Sequence, residues 1–245
     1  MPQYKIGIIG EDNLIKNMFE ERGAVVTTLG NPLQEAENKF DFNLVVFTGG
    51  SDVSPWLYGE KNTTSYTNQN RDIREVLWYH RFLNTPKVGI CRGGQFLFVM
   101  NGGKMDQHID GHGNSHRLKY HLWTPEGLDN SVTSTHHQHM ANPHANQSVL
   151  ASNPRDGVNE IVWSGYSQSL SFQPHPEYED MVCREIFFWH IKKMFKMNFM
   201  KAAAAPAIQP FQQDLVNAIN LGAVLQGAQA ARVVFDDEDV EEERR

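Results

Sequence analysis

Apolar and polar positions in the N-terminal part of the chain alternate between two repeats, one typical of strands and one typical of helices. Residues 4–9 form a short apolar run with β-branched side chains, which predicts a buried strand, and residues 12–22 carry apolar side chains at helical spacing. Residues 24–29 and 44–47 predict two further strands, the second of which runs into a glycine-rich loop. Strands that alternate with helices favour a parallel α/β sheet.

The middle of the chain repeats this order around its first cysteine. Residues 71–82 have apolar side chains at helical spacing, and residues 87–90 form an apolar strand that stops at Cys91. The next helix is predicted to begin directly, over about residues 93–100. The change from strand to helix at Cys91 therefore leaves almost no loop.

The rest of the chain changes in pattern and then in composition. Residues 104–163 carry short alternating runs separated by Asn, Gly and Pro, which suggests antiparallel strands beside the sheet. A last strand is predicted at 169–173 and a last amphipathic helix at 182–195, after which alanine and glutamine dominate. We therefore divide the chain into a main domain, residues 1–201, and a tail, residues 202–245, whose apolar spacing allows one helix before an acidic end.

Length and charge indicate one domain with a tail and argue against a nucleic-acid-binding protein. The 245 residues suffice for one sizeable core and a tail, but hardly for two full domains. Most of the formal net charge of -7 lies in the last ten residues, which hold seven acids and two arginines. The remaining chain is close to neutral and lacks the basic face that binding to nucleic-acid phosphates requires.

Cysteine usage and hydropathy indicate an intracellular protein. Cys91 and Cys183 are too few for a disulfide framework, and the N-terminal residues lack the apolar segment of a secretory signal. No apolar run approaches the roughly 20 residues that a membrane-spanning helix needs. We expect a soluble, cytoplasmic protein that contacts neither membrane nor nucleic acid.

The residues around Cys91 give the strongest chemical signal. In GICRGGQ, residues 89–95, a strand ends in Gly-x-Cys-x-Gly and passes at once into a helix, which is how a nucleophile elbow is built. Small residues allow the sharp turn, and the helix N-terminus favours thiolate over thiol. The alternative, a buried structural cysteine, leaves the surrounding glycines unexplained. Cys91 is therefore the candidate nucleophile.

A thiol nucleophile needs a base with an orienting partner, and FQPHPEY, residues 172–178, offers both. His175 can accept the thiol proton, and Glu177 can fix the tautomer of the imidazole. The alternative is a surface histidine near an incidental glutamate. The segment follows an apolar strand of the same predicted sheet, at the edge where open α/β folds place their sites. The pattern thus predicts a catalytic triad of Cys91, His175 and Glu177.

The glycine-rich loop that follows residues 44–47 supplies a candidate oxyanion hole. The backbone N–H groups of glycines can approach an oxygen without a Cβ in the way, so Gly50 is one predicted donor. The amide of Arg92, directly after the nucleophile, is the other. The alternative explanation of the two adjacent glycines, Gly49 and Gly50, is a tight turn with no role in binding.

These segments, in this order, resemble the class I glutamine amidotransferase-like superfamily over residues 4 to about 197. Within it, the chain is most similar to the gamma-glutamyl-gamma-aminobutyrate hydrolase-like peptidases, through GGSDVSPWLYG at residues 49–59 and STHHQ at residues 134–138. The chain departs from the pattern at Gly94, where a larger apolar residue is usual. We expect looser helix packing at that position.

The resemblance implies a flavodoxin-like three-layer sandwich with a mainly parallel central sheet, and it makes the main domain a catalytic one. It implies cysteine-dependent hydrolysis of a gamma-glutamyl amide through a glutamyl thioester on Cys91, and we expect no cofactor. It also implies substrate contacts from Gln95 and from the STHHQ loop, where His136, His137 and Gln138 are the candidates.

Three uses of such a fold stay open. A free-standing hydrolase would release glutamate and an amine from glutamine or another small gamma-glutamyl substrate. A glutaminase subunit would instead pass ammonia to a synthetase or ligase partner. A non-catalytic binding protein on the same fold is the third hypothesis, which a broken triad would favour. The tail could cover such a partner, the main domain or a second copy of the chain, as in a homo-oligomer.

Eleven histidines invite a metal site, above all His108, His112 and His116 at every fourth position. Such spacing gathers side chains only on a helix, and Gly111 and Gly113 interrupt it. No cysteine or acidic ligand accompanies the set at the spacing of known zinc motifs. We therefore predict no metal site.

Overall fold

The computed structural model of the chain describes residues 3–178 and 180–198. Within these residues the chain forms twelve strands, four α-helices and one short 3-10 helix, Pro55–Tyr58. The α-helices are α1 Asn13–Glu20, α2 Gln69–Arg81, α3 Arg92–Met100 and α4 Met181–Asn198. The strands are β1 Lys5–Ile9, β2 Val25–Leu29, β3 Leu44–Phe47, β4 Lys87–Ile90, β5 Lys104–Asp106, β6 His116–Arg117, β7 Lys119–Tyr120, β8 Ser131–Val132, β9 His139–Asn142, β10 Gln147–Ser152, β11 Asn159–Ser164 and β12 Ser169–Phe172.

The main sheet has the order β2-β1-β3-β4-β12-β11-β10-β7. The five strands from β2 to β12 are parallel, and the strands beyond β12 continue the sheet in antiparallel fashion. Each strand predicted individually from an apolar run is present, and the short alternating runs of residues 104–163 do form antiparallel strands. The α/β class with a mainly parallel central sheet is therefore confirmed.

Helices cover both faces of this sheet and create two separate cores. One core contains Ile15 of α1 and Phe187 of α4 together with residues from one face of the parallel strands. The other contains Val76 of α2 and Phe96 of α3 together with residues from the opposite face. Helix, sheet and helix thus form the three layers that the resemblance implied.

Strand β3 shows why apolar runs, not alternating patterns, predicted the central strands. Leu44 and Val46 pack into the core of α1 and α4, whereas Val45 and Phe47 pack into the core of α2 and α3. All four side chains are completely buried. A parallel strand covered by helices on both faces has no solvent side, so every position is apolar.

The predicted tail, residues 202–245, lies outside the described residues, and so does the last stretch of the main domain after residue 198. The final helix, α4, begins one residue earlier and continues three residues further than its apolar pattern predicted. Among the described helices, none combines the length and the apolar character needed to cross a bilayer.

Candidate active site

Three neighbouring strands of the sheet end at the same edge and carry the candidate site. Strand β4 lies between β3 and β12 and pairs in parallel with both. The glycine loop after β3, Cys91 after β4 and the segment of His175 after β12 therefore meet at the carboxyl edge of the sheet. Open α/β folds bind their ligands at this edge.

Cys91 sits in a strained backbone conformation between β4 and α3. Its φ of 49° and ψ of -111° lie where residues with a Cβ are rare. Its N–H donates to the carbonyl of Phe172 at 2.8 Å, and its side chain is mostly buried, with 8% of the residue exposed. This is the geometry of a nucleophile elbow, in which a sharp turn presents the side chain at the top of the sheet.

The first turn of α3 packs directly on the backbone of β12. A Cβ placed on Gly94 would lie 2.8 Å from the nitrogen and 2.9 Å from the oxygen of Phe172. The expectation that Gly94 loosens the packing is therefore wrong, because its missing side chain is what allows helix and strand to touch. This close approach brings Cys91 next to the end of β12, where the candidate base lies.

His175 and Glu177 form a buried pair beside the nucleophile. Nδ1 of His175 lies 2.5 Å from Oε1 of Glu177, and both residues are less than a tenth exposed. The ring of Tyr178 stacks on the imidazole at 4.6 Å between centroids, and the backbone N–H of His175 donates to Thr133. With Nδ1 held by the carboxylate, Nε2 is the nitrogen left for the thiol.

The electrostatic surroundings favour the imidazolium form of His175. Burial alone lowers its pKa, but the contacts with Cys91 and Glu177 outweigh burial and raise the pKa to about 11. The side chain of Gln173 donates to Sγ of Cys91 at 3.7 Å, and the sulfur also lies 3.9 Å from the carbonyl oxygen of Thr135. An imidazolium and an amide donor next to the sulfur both stabilise negative charge on it.

Arg71 orients the glycine loop after β3. Its Nη2 donates to the carbonyl of Gly49 at 2.6 Å, and a Cβ on Gly50 would lie 2.1 Å from Nη1. Since the peptide is trans, the N–H of Gly50 points away from Arg71. Gly50 also has a φ of 127°, so only glycine fits here in both space and conformation. Gly49 itself lies against Cys91 and His175.

Arg92 combines a backbone and a side-chain role. As the first residue of α3, its N–H belongs to the group of helix donors that lack a partner within the helix. Its buried guanidinium forms ion pairs with Asp72 and Glu75 of α2, and Nε donates to the carbonyl of Ser51 at 3.1 Å. The side chain therefore ties the elbow to α2 and to the glycine loop, and leaves the amide as the candidate oxyanion donor.

Two of the four predicted substrate contacts are used inside the protein instead. Gln138 is 1% exposed, and its amide bonds the backbone of Val53 and the hydroxyl of Ser65. The ring of His136 is buried, with Nδ1 at 2.8 Å from the carbonyl of Gln138. The hydrogen bonds of these two side chains stabilise the loop of residues 134–138 inside the protein. The structure therefore does not support direct substrate contact by either one.

The other two candidates keep a polar group that these internal contacts do not use, or a partly exposed side chain. Gln95 donates through Nε2 to the carbonyl of Gln138 at 2.9 Å and to Oε1 of Gln173 at 3.0 Å, which leaves its own Oε1 uncommitted by these bonds. His137 has a side chain that is 39% exposed, and its Nε2 lies 2.8 Å from Oδ2 of Asp52. Substrate contact by Gln95 and His137 stays a prediction.

Sequence reasoning missed two features of this site. Gln173 links Gln95 to the sulfur of Cys91, and its position directly after the strand beside β4 was the available signal. The buried ion pairs of α2 were also missed, although Arg71 and Glu75 stand four residues apart, which is the spacing of a helical ion pair.

The sequence of the chain is similar to those of known proteins. The sequence pattern of the family described as Peptidase C26 matches residues 24–177. The glutamine amidotransferase-like protein YvdE of Lactococcus lactis subsp. lactis (strain IL1403) is 29% identical over 189 residues, which cover 66% of this chain and 78% of that protein.

Solved structures share the fold at low identity. A glutamine amidotransferase from Thermotoga maritima matches with a TM-score of 0.54 and 15% identity, over 91% of this chain and 92% of that chain. A GMP synthase component from Thermoplasma acidophilum matches with a TM-score of 0.63 and 18% identity, over 82% of this chain and 98% of that chain. Likeness at this level of identity concerns the fold alone.

Proposed function

Because the chain belongs to the peptidase C26 family, within the class I glutamine amidotransferase-like superfamily, we propose that it cleaves a gamma-glutamyl amide bond through a thioester on Cys91. The observation that carries the proposal is the placement of a strained cysteine at the top of β4, beside a buried histidine–glutamate pair at the end of β12. Nucleophile, base and orienting group thus have the order that covalent amide cleavage requires.

The first half-reaction forms the thioester. The thiolate of Cys91 attacks the gamma-carbonyl carbon, and the electrons of the C=O double bond move to its oxygen. The N–H groups of Gly50 and Arg92 stabilise this oxyanion, and one such donor is worth roughly 2.7–4 kcal/mol. As the C–N bond breaks, the imidazolium of His175 gives its proton to the leaving nitrogen, so an amine or ammonia departs neutral.

The second half-reaction returns the enzyme to its starting state. Neutral His175 accepts a proton from water, and the resulting hydroxide attacks the thioester carbonyl. The C–S bond then breaks, glutamate leaves, and the thiolate is again paired with an imidazolium. Glu177 keeps the imidazole in one tautomer throughout, because Nδ1 stays bonded to its carboxylate.

Covalent labelling of the intact protein tests the nucleophile and the substrate class together. A diazo-ketone analogue of glutamine should add one mass increment, and Cys91→Ala should remove it. Cys183→Ser is the matched control and should still be labelled, because Cys183 is completely buried in α4 and burial raises the pKa of its thiol. An increment that maps to Cys183, or none at all, would refute the proposal.

A glutaminase that supplies ammonia to a partner enzyme is the second candidate. Its support is the likeness in fold to the GMP synthase component from Thermoplasma acidophilum. The turnover rate of the isolated chain distinguishes a free-standing hydrolase from an ammonia-supplying glutaminase. A free-standing hydrolase should cleave gamma-glutamyl amines or glutamine without help, whereas an ammonia-supplying glutaminase should label with the analogue yet turn over glutamine slowly until a synthetase is added.

A further inference from the structure

A second cluster of chemically competent side chains lies outside the triad. It consists of His112, His116, His136 and Glu160, and all four side chains are buried or nearly so. The sequence-based prediction of no metal site rests on the absence of a helix that would gather the histidines. They come instead from a loop, from the short strand β6 and from the loop of residues 134–138, and they converge on Glu160 of β11.

The donor atoms stand at distances that a metal ion would bridge. Nδ1 of His112 and Nε2 of His136 each lie 3.8 Å from Oε1 of Glu160, and Nε2 of His116 lies 3.0 Å from the same oxygen. The donors of His112, His136 and Glu160 all lie within 4.8 Å of one another. Zinc bonds of about 2.0–2.2 Å in a tetrahedral site place donors roughly 3.3–3.6 Å apart, so the donors of His112, His136 and Glu160 would have to move closer together to bind an ion.

Hydrogen bonds behind the cluster direct lone pairs into it. Nε2 of His112 lies 3.0 Å from Oδ2 of Asp156 and donates a hydrogen bond to it, which leaves Nδ1 as the unprotonated nitrogen. Nδ1 of His136 donates to the carbonyl of Gln138 at 2.8 Å and leaves Nε2 unprotonated. Carboxylate and backbone carbonyl partners of this kind are typical behind histidines that bind metals.

Three inner atoms of the cluster have no hydrogen-bond partner among the described residues. Nδ1 of His112, Nε2 of His136 and Oε2 of Glu160 are buried in this state, whereas Nε2 of His116 lies 3.0 Å from Oε1 of Glu160. Lone pairs that face a buried carboxylate repel it unless a cation lies between them. A divalent ion would balance the carboxylates of Glu160 and Asp156 with neutral imidazoles at His112 and His136.

We propose that His112, His136 and Glu160 bind a divalent transition-metal ion of the zinc type. Two imidazoles and one carboxylate suit zinc, whereas calcium and magnesium prefer oxygen donors alone. All three ligand side chains are buried, so we assign the ion a structural role.

The proposed ion would lie directly behind the candidate active site. Glu160 accepts through its carbonyl from the N–H of Gln173, the residue whose side chain donates to Cys91. His136 follows Thr135, whose carbonyl contacts the sulfur, and Thr133, directly before this loop, accepts a hydrogen bond from the backbone N–H of His175. An ion bound to both His136 and Glu160 would therefore hold in place the loop of residues 134–138 and strand β11, which contact the residues that position Cys91 and His175.

Metal uptake by the untagged, full-length chain tests the site. The background is Cys91→Ala, so that zinc cannot bind the thiolate and imidazole of the active site. After dialysis against a chelator, the protein should take up one zinc ion per chain, measured against a chromophoric competitor, and its Tm should rise with zinc. Glu160→Gln should remove both effects, and His108→Ala, which removes a half-exposed histidine outside the cluster, should leave both unchanged.

A second variant keeps the test valid if Glu160→Gln fails to fold. Asp156→Asn changes a partly exposed carboxylate behind His112, and it should weaken zinc binding by about 10–100-fold with an unchanged circular dichroism spectrum. If the parent takes up no zinc and its Tm does not respond, the cluster is a buried histidine–carboxylate ion pair and the metal site is refuted. Uptake that Asp156→Asn and Glu160→Gln both leave unaltered would place the ion elsewhere and refute it as well.

Discussion

The backbone of Cys91 stores strain that its neighbours enforce. A positive φ at a residue with a side chain costs about 1–3 kcal/mol and persists only where the surroundings over-determine it. Here β4 ends one residue before Cys91, α3 begins one residue after it, and its N–H is bonded to Phe172. This conformation joins β4 to α3 without a loop and leaves the sulfur beside Gln173 and Thr135.

The shifted pKa of His175 predicts a pH dependence of stability. Burial lowers this pKa, contacts with Cys91 and Glu177 outweigh burial, and the folded value of about 11 lies above the ordinary 6.5. A raised folded pKa contributes stability that is complete below about pH 6.5 and is lost as the pH rises towards about 11. Urea unfolding across this range should therefore show a falling free energy of unfolding.

Variants isolate the contribution of this one group. In His175→Asn the decline in the free energy of unfolding over the same pH range should be smaller than in the parent. His144→Asn, a change at an exposed histidine, should follow the parent curve. Equal slopes for the parent and His175→Asn would show that the imidazole is not held in its charged form by Cys91 and Glu177.

Among the helices and strands, those with a clear pattern of apolar residues were the easiest to predict from the sequence. Strands β3 and β4 are wholly buried, so their apolar runs stand out. Strands β6 and β8 contain two residues each, which is too short for any period, so only a region of antiparallel strands could be predicted there. The turn at Cys91 was predictable because the glycines that allow it are neighbours of Cys91 in the sequence.

The contact between α3 and β12 predicts a destabilising substitution. Gly94→Ala should lower the free energy of unfolding by about 1–3 kcal/mol, because the new methyl group would meet the backbone of Phe172 and force the helix outwards. Cleavage of a gamma-glutamyl substrate should fall as well, since the same shift moves Cys91 relative to His175. Chemical denaturation and initial rates on the same preparations measure both effects.

Gly113 provides the matched control for this substitution. A Cβ at Gly113 has no heavy atom within 4 Å, so Gly113→Ala should leave stability within about 0.5 kcal/mol of the parent. If Gly94→Ala proves as stable as Gly113→Ala, helix α3 has room to move. The close approach to Phe172 would then not limit the residue at position 94.

At the scale of the whole molecule, the site depends on pairings that no local pattern reveals. The proposed triad could be read from the sequence because its members come shortly after two predicted strands, Cys91 after β4 and both His175 and Glu177 after β12. The histidine cluster could not, because Glu160 of β11, His116 of β6 and two loop histidines come together only in the folded chain, where the N–H of His136 donates to the carbonyl of His112. The buried partners of Gln138 and His136 depend on the same long-range contacts, so their resemblance-based substrate role could not be checked from sequence.

The candidate site is built from residues 47–178, and this placement predicts that the tail is dispensable for the chemistry. A chain that stops after Lys201 retains every residue of the proposed triad and oxyanion hole. Its kcat/KM on a small gamma-glutamyl substrate should lie within about twofold of the full chain, less than about 0.4 kcal/mol of transition-state stabilisation. Equal melting temperatures would establish that both lengths fold. Loss of cleavage by a truncated chain that still melts cooperatively would contradict the prediction and make residues 202–245 part of the active site.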